Sequence, residues 1–150
     1  MVQDVSAFGF EINVIASNTF PQGFPVTQFA DDTDPFDNPD LKIADTKMGI
    51  NGDLITYSVA SPIIIKVAVV PGSLDDQNLA ALAQANRVGK GKTSAQDIIS
   101  IAAQYPQGTT KQINGGKMTD APVLSSLASA GRLKSKVYSF AFESTVGDPA

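Results

Sequence analysis

The sequence predicts a mainly β domain, a β-sandwich or β-barrel with one flanking α-helix. Three observations carry this. Apolar residues alternate at period two along several stretches. Gly, Pro and Asn-Gly signals punctuate the chain at short intervals. Only one segment has the caps and spacing of a helix. The 150 residues fit a single domain, 1–150, long enough to bury a sizeable core.

The first strand is expected over about Ala7–Ala16, with Phe8, Phe10, Ile12 and Val14 on one face and Glu11 and Asn13 on the other. A second short strand is expected at Val26–Ala30, set off by Pro21, Gly23 and Pro25. Residues 31–40 hold two prolines and five aspartates and predict a loop. Leu41–Ile50 and Asp53–Ala60 flank Asn51-Gly52, a hairpin signal, because a type I′ turn needs positive φ at both central positions. Pro62 and Pro71 bracket the β-branched run Ile63–Val70, which predicts a buried central strand.

The helix follows. Ser73 is its N-cap, and Asp75 and Asp76 lie in the first turn, where the helix dipole favours acids. Leu79, Leu82, Ala83 and Asn86 share a face, Arg87 lies near the C-terminal end, and Gly89 stops the helix. Asp97–Tyr105 predicts a strand with Ile99 and Ile101 opposed to Ile98. Tyr105-Pro106-Gln107-Gly108 turns the chain into Thr109–Ile113, and Asn114-Gly115-Gly116 turns it again. Residues 120–131 are small and polar and predict an extended loop. The last strand is Leu133–Glu143, with Tyr138, Phe140 and Phe142 on one face. The total is about seven or eight strands and one helix.

Composition narrows function. The chain has no cysteine, no histidine and no tryptophan. A disulfide framework and thiolate metal sites are excluded. So are Ser-His-Asp and Cys-His catalysis and HExxH zinc sites. The chain therefore reads as a structural building block that assembles with copies of itself, not as an enzyme, and no cofactor is expected. The N-terminus, Met1-Val2-Gln3-Asp4, lacks the basic region of a signal peptide, and the longest apolar run, Ile63–Val70, is too short to span a bilayer. Synthesis and retention in a cytoplasm, or release by lysis, is the expectation.

Net charge is -4 and unevenly spread. Residues 1–41 carry seven acids (Asp4, Glu11, Asp31, Asp32, Asp34, Asp37 and Asp40) and no Lys or Arg. The remainder is net positive. An acidic chain is a poor clamp for nucleic acid. The split suggests instead that one surface of a subunit attracts another.

Three local patterns point to chemistry, and each has a plainer reading. Gly89-Lys90-Gly91-Lys92-Thr93-Ser94 ends like a phosphate-binding loop, but Asn86 stands where the pattern needs glycine, and the helix precedes the loop instead of following it. A flexible basic loop is the plainer reading. The Asp31–Asp40 cluster offers oxygen ligands for a hard cation but lacks the EF-hand order, with Asp37 in place of the loop glycine. An acidic loop that is solvated or meets another chain is the plainer reading. Arg132, Lys134 and Lys136 are spaced by two and share a strand face with Tyr138, Phe140 and Phe142. A guarded edge, or a contact with a partner's acids, explains them. Glu11 and Glu143 are the only glutamates, and nothing pairs them as an acid–base dyad.

From residue 97 onward the chain resembles a known family. The order Asp97-Ile98-Ile99-Ser100-Ile101, Tyr105-Pro106-Gln107-Gly108, Gly115-Gly116-Lys117-Met118-Thr119-Asp120-Ala121-Pro122, Ser126-Leu127-Ala128-Ser129-Ala130-Gly131-Arg132 and Tyr138-Ser139-Phe140-Ala141-Phe142-Glu143 is similar to tail structural proteins of contractile-tailed bacteriophages. The likeness covers about residues 41–143, including Ser61-Pro62-Ile63 through Leu82, and rests on the order of these segments. It implies a tail tube protein related to the tube of type VI secretion, with a tail-tube-like β-barrel or sandwich and one flanking helix. It further implies hexameric rings stacked head to tail, located in the virion tail and assembled in the host cytoplasm. The implied partners are the tail sheath protein and the baseplate and tail-terminator proteins. The genome would pass through the lumen without specific binding of DNA. Labels such as tail fibre or baseplate protein attach equally well to such chains.

Two expectations join charge to this picture. Part of the acidic excess in residues 1–60 faces the channel, where it repels DNA phosphates. Ring stacking is a heterologous contact whose two surfaces differ, so Asp31, Asp32, Asp34, Asp37 and Asp40 are expected to meet Lys90, Lys92, Arg132, Lys134 and Lys136 of the next ring. The alternatives are another tail component, such as a tube-capping or baseplate protein, and a monomeric β-sandwich binding module for sugar or protein.

Overall fold

The computed structural model describes residues 7–147. In chain order the elements are β1 (Glu11–Ala16), β2 (Phe20–Val26), β3 (Phe36–Asp37), β4 (Ala44–Met48), β5 (Leu54–Ser58), β6 (Ile63–Val69), α1 (Leu74–Asn86), β7 (Ile99–Gln104), β8 (Thr110–Asp120), β9 (Lys136–Phe142) and β10 (Ser144–Gly147). Among the described residues the mainly β class with a single flanking helix is thus the observed one.

One antiparallel sheet runs in the order β2-β1-β7-β8-β9-β6-β3, with β10 also pairing β8. The long strand β8 organises it. Its first half pairs with β7 and β10, and its second half pairs with β9. The strand bends at Asn114-Gly115-Gly116, where the sequence suggests a turn. Gly115 adopts φ +69, and a Cβ on Gly116 would lie 2.2 Å from the Phe142 ring. The glycines let a continuous strand bend and let an aromatic ring lie against its backbone.

The bend folds the two halves of the sheet over one core. Ile12, Val14, Val26, Ile99 and Ile101 from one half pack with Ile65, Val67, Tyr138, Phe140 and Phe142 from the other. The alternation read in β1, β7 and β9 is the inward set. Phe8 departs from it: the residue lies in a turn closed by Phe10 N–H donating to the Ala7 carbonyl at 3.1 Å, and it is exposed. Phe10 instead packs its ring against Phe29, Phe36 and Tyr105.

Two further boundaries differ from expectation. The second strand is Phe20–Val26, so Pro21, Gly23 and Pro25 lie within it. It is the edge of the sheet order, where a missing N–H leaves no ladder bond unmade on the open side. The segment beyond it crosses to β6: Phe29 bridges Val69, Ala30 N–H donates to the Ala68 carbonyl at 3.0 Å and Val70 N–H to the Gln28 carbonyl at 3.1 Å. This link closes the two ends of the sheet toward a barrel. Strand β6 lies between β9 and the two-residue β3, next to the sheet's edge and not at its centre.

Three buried aspartates fix α1 on the barrel. Ser73 caps the helix, its hydroxyl accepting from Asp76 N–H at 3.2 Å. Asp75 Oδ2 accepts from the Thr27 and Gln28 backbone N–H groups at 2.8 Å each. Asp76 Oδ1 accepts from the Tyr138 hydroxyl at 2.8 Å, and its Oδ2 accepts from Gly72 N–H at 2.9 Å and pairs with Lys136 Nζ at 3.3 Å. At the other end, Asp97 accepts from Asn18 N–H at 2.7 Å, Thr19 N–H at 2.9 Å, Asn86 Nδ2 at 2.8 Å and the Thr19 hydroxyl. Burial pushes the Asp97 carboxyl up, but the Thr19 and Asn86 side chains and the Thr19 and Asn18 backbone donors outweigh it and hold it below the ordinary value. The Tyr138 hydroxyl is pushed well above its usual range by burial and by the Asp76 carboxylate beside it.

Candidate assembly surface

The hairpin β4–β5 forms its own two-stranded sheet. Its hydrogen bonds among the described residues stay inside it: the ladder, Gly49 N–H to the Asp53 carbonyl at 2.7 Å, Gly52 N–H to the Gly49 carbonyl at 3.0 Å and Val59 N–H to the Ile43 carbonyl at 2.9 Å. The Asn-Gly signal located this hairpin, but the turn type differs. Only Gly52 has positive φ, at 88, so the loop is Ile50-Asn51-Gly52, a three-residue turn ending in a left-handed glycine.

Cross-strand register sorts the side chains. One face carries Met48 opposite Leu54 and Thr46 opposite Thr56; the other carries Lys47 opposite Ile55 and Asp45 opposite Tyr57. Tyr57 hydroxyl donates to Asp45 at 3.2 Å, and Lys42 pairs with Asp45 at 3.0 Å. None of the large apolar groups is covered: Met48 is 65% exposed, Leu54 63% and Ile50, at the apex, fully exposed. A lone two-stranded hairpin is marginal in water, and a cluster of bare apolar side chains marks a contact surface. The sequence located this hairpin but gave no sign that it stands away from the core, because its alternation resembles that of a packed strand.

The charged residues singled out in the sequence divide into three groups. Arg132 reaches Asp31 of its own chain at 3.0 Å, and Ser135 donates to Asp32, so the acidic loop is tied to the segment before β9 within one subunit. The Arg132 hydrogen bond holds the Asp31 carboxyl below its ordinary value, and the Arg132 guanidinium is raised in turn. Lys92 and Lys136 turn inward. Lys92 donates to the Arg87 carbonyl at 2.6 Å and to the Gln84 carbonyl, closing the C-terminal end of α1. The basic Gly-Lys loop thus has a defined intramolecular task at a helix end. Lys136 meets Asp76, as its parity with Tyr138 requires. Asp34, Asp40, Lys90 and Lys134 stay exposed, and Asp37 is half-buried in β3. Among the described residues no three acidic side chains converge on a metal-sized site.

The family model described as tail fiber protein gp32 matches residues 3–146. The chain belongs to this family. No curated protein sequence matches it. Among solved structures, the chain is similar to one from a sheath–tube complex of the extracellular contractile injection system PVC in its extended state. That likeness has TM-score 0.58 and 12% identity and covers 98% of this chain and 93% of that one. A chain from the PVC sheath/tube terminator aligns with TM-score 0.58 and 10% identity over 99% of both chains. A chain from the baseplate of the anti-feeding prophage aligns with TM-score 0.54 and 8% identity, over 98% and 97%. At these identities the likeness establishes a shared fold. This chain and these injection-system chains thus share a fold.

Proposed function

We propose that this chain is a non-enzymatic structural subunit of a contractile tail and that it forms the tail tube, as hexameric rings stacked head to tail around a lumen. The observation that carries the reading is the β4–β5 hairpin, whose large apolar side chains on both faces are more than half exposed. A surface of this kind needs another chain to cover it. The fold supports the same reading, since it is shared with chains of tube, terminator and baseplate assemblies. In the tube the partners are copies of itself, the sheath, the baseplate and the terminator, and DNA slides past without specific contacts. Acids from residues 1–60 at the lumen would repel its phosphates.

The electrostatic stacking idea narrows to groups that remain outward: Asp34 and Asp40 on one side, Lys90 and Lys134 on the other. Asp31, Asp32 and Arg132 support that surface by tying its loops together. A second reading is a terminator or baseplate ring of the same fold, favoured by the neighbours in those assemblies. Negative-stain microscopy of the purified protein separates them. Long tubes with a central channel support the tube subunit. Single closed rings support the second reading, and a dispersed monomer at every concentration overturns both.

A further inference from the structure

A groove of about 540 Å³ runs between α1 and the end of β8. Its helix wall is built from Ala80, Ala83 and Arg87, and its opposite wall from Met118, Asp120 and Val123. Small alanines leave depth between the walls, and Met118 is a side chain that adapts to irregular shapes. The volume falls in the range of pockets that enclose a sizeable ligand, roughly 300–1,000 Å³. Val123 at its rim is 72% exposed and the adjoining Leu124 80% exposed.

We infer that this groove receives the β4–β5 hairpin tip of a second copy of the chain. The inference rests on the self-assembling reading above and names the two surfaces that meet. The tip is narrow, a three-residue turn with Ile50 at its apex flanked by Met48 and Leu54. An apolar wedge of this shape fits between the helix alanines Ala80 and Ala83 and the Met118 side chain opposite them, while polar groups of the lining flank it.

Charge complements shape. Asp53 follows the apex and Lys47 precedes it; the groove offers Arg87 and Asp120. Among the described residues none of these four has an ion-pair partner within its own chain. Docking pairs Asp53 with Arg87 and Lys47 with Asp120. The contact is heterologous, tip into groove, so every copy both gives and receives, and assembly continues from copy to copy.

The absence of cysteine from the chain makes a clean test possible. A variant carrying both Ile50→Cys and Val123→Cys is allowed to assemble and is then oxidised. A ladder of disulfide-linked multimers on a non-reducing gel is expected, because each chain has both halves of the contact. Mixing the two single variants should instead stop at dimers. In parallel, Asp53→Arg or Arg87→Asp alone should raise the concentration needed for assembly by about tenfold or more, and the double exchange should restore it. Particles that assemble but give no ladder, a crosslink confined to one chain, or a double exchange that restores nothing each overturn the inference while leaving self-assembly intact. No assembly of the unaltered chain at any concentration overturns the self-assembly reading and this inference with it.

Discussion

Replacing Asp76 by Leu tests whether the contact between α1 and the sheet is held by a buried charge network. The Asp76 carboxylate is 3% exposed and serves the Tyr138 hydroxyl, Gly72 N–H and the Lys136 ammonium at 2.8, 2.9 and 3.3 Å. At an effective dielectric of about 20, two unit charges at that last separation attract by roughly 5 kcal/mol before desolvation is counted. Removing one partner of such a pair costs about 3–5 kcal/mol, because the other charge stays behind unpaired. The orphaned Tyr138 hydroxyl, fully buried, adds to that cost. A loss of about 4 kcal/mol is expected, a large part of the roughly 5–15 kcal/mol by which domains are stable. The melting temperature should fall by about 8–16 °C. Urea unfolding followed by circular dichroism at neutral pH measures it, with the m-value unchanged. Combining Asp76→Leu with Lys136→Met and Tyr138→Phe removes both side-chain orphans, leaves only the Gly72 N–H without its acceptor, and should return most of the loss. A single variant within about 1 kcal/mol of the parent, or a triple variant no better than the single, would refute the reasoning.

Other perturbations follow from the same geometry. Gly116→Ala places a methyl group 2.2 Å from the buried Phe142 ring and 2.8 Å from the Ala141 carbonyl, and should cost about 1–3 kcal/mol of overpacking. Adding Phe142→Leu should recover part of it, and a double-mutant cycle by urea unfolding reads the coupling. Because the folded-state carboxyl of Asp97 lies below its unfolded value of about 3.9, its contribution is present above that pH and lost as pH falls through the folded value. Melting temperatures between pH 6 and pH 2 should therefore drop steeply for the parent and less steeply for Asp97→Asn. For Tyr138 the shift is upward, so stability is present below the unfolded value of about 10 and declines as pH rises beyond it. Tyr138→Phe should flatten that alkaline limb. By contrast, Arg132→Ala breaks an exposed pair and should leave the melting temperature unchanged.

Much of the fold was legible wherever a single element's own pattern decided the outcome. Ile12 and Val14, Ile99 and Ile101, and Tyr138, Phe140 and Phe142 point inward because period two and burial on one face leave no other choice. Ser73 caps its helix as its position predicts. The readings that differed depend on distant neighbours. Pro21 and Pro25 interrupt a strand by local rules, yet an edge strand has an open side that does not need their N–H groups. Asn114-Gly115-Gly116 has the composition of a turn, and only the Phe142 ring, far along the chain, shows why the glycines sit in a bent strand.

The surface followed the same division. Asp75 and Asp76 read in the sequence as first-turn acids of a helix and Asp97 as the start of a strand, whereas in the fold they also receive backbone and side-chain donors from segments up to 79 residues away. Asp31 and Arg132 looked like opposite halves of a contact between subunits, and the chain closes that pair on itself across 101 residues. The hairpin was legible as a hairpin. Its lack of any cover was not, since exposure is a property of what packs around a segment and not of the segment.

Self-association through the bare tip of β4–β5 is what the proposed tube requires of this chain. Light scattering across a range of concentrations, on the parent and on a variant with Met48→Ser, Ile50→Ser and Leu54→Ser, tests it most directly. The parent should grow to masses many times that of one chain. The variant should keep the mass of a single chain and, at concentrations low enough that the parent is dissociated too, the parent's melting curve, because those three side chains are exposed and the hairpin's hydrogen bonds lie within it. A parent that stays monomeric throughout, or a variant that assembles as readily as the parent, would contradict the account.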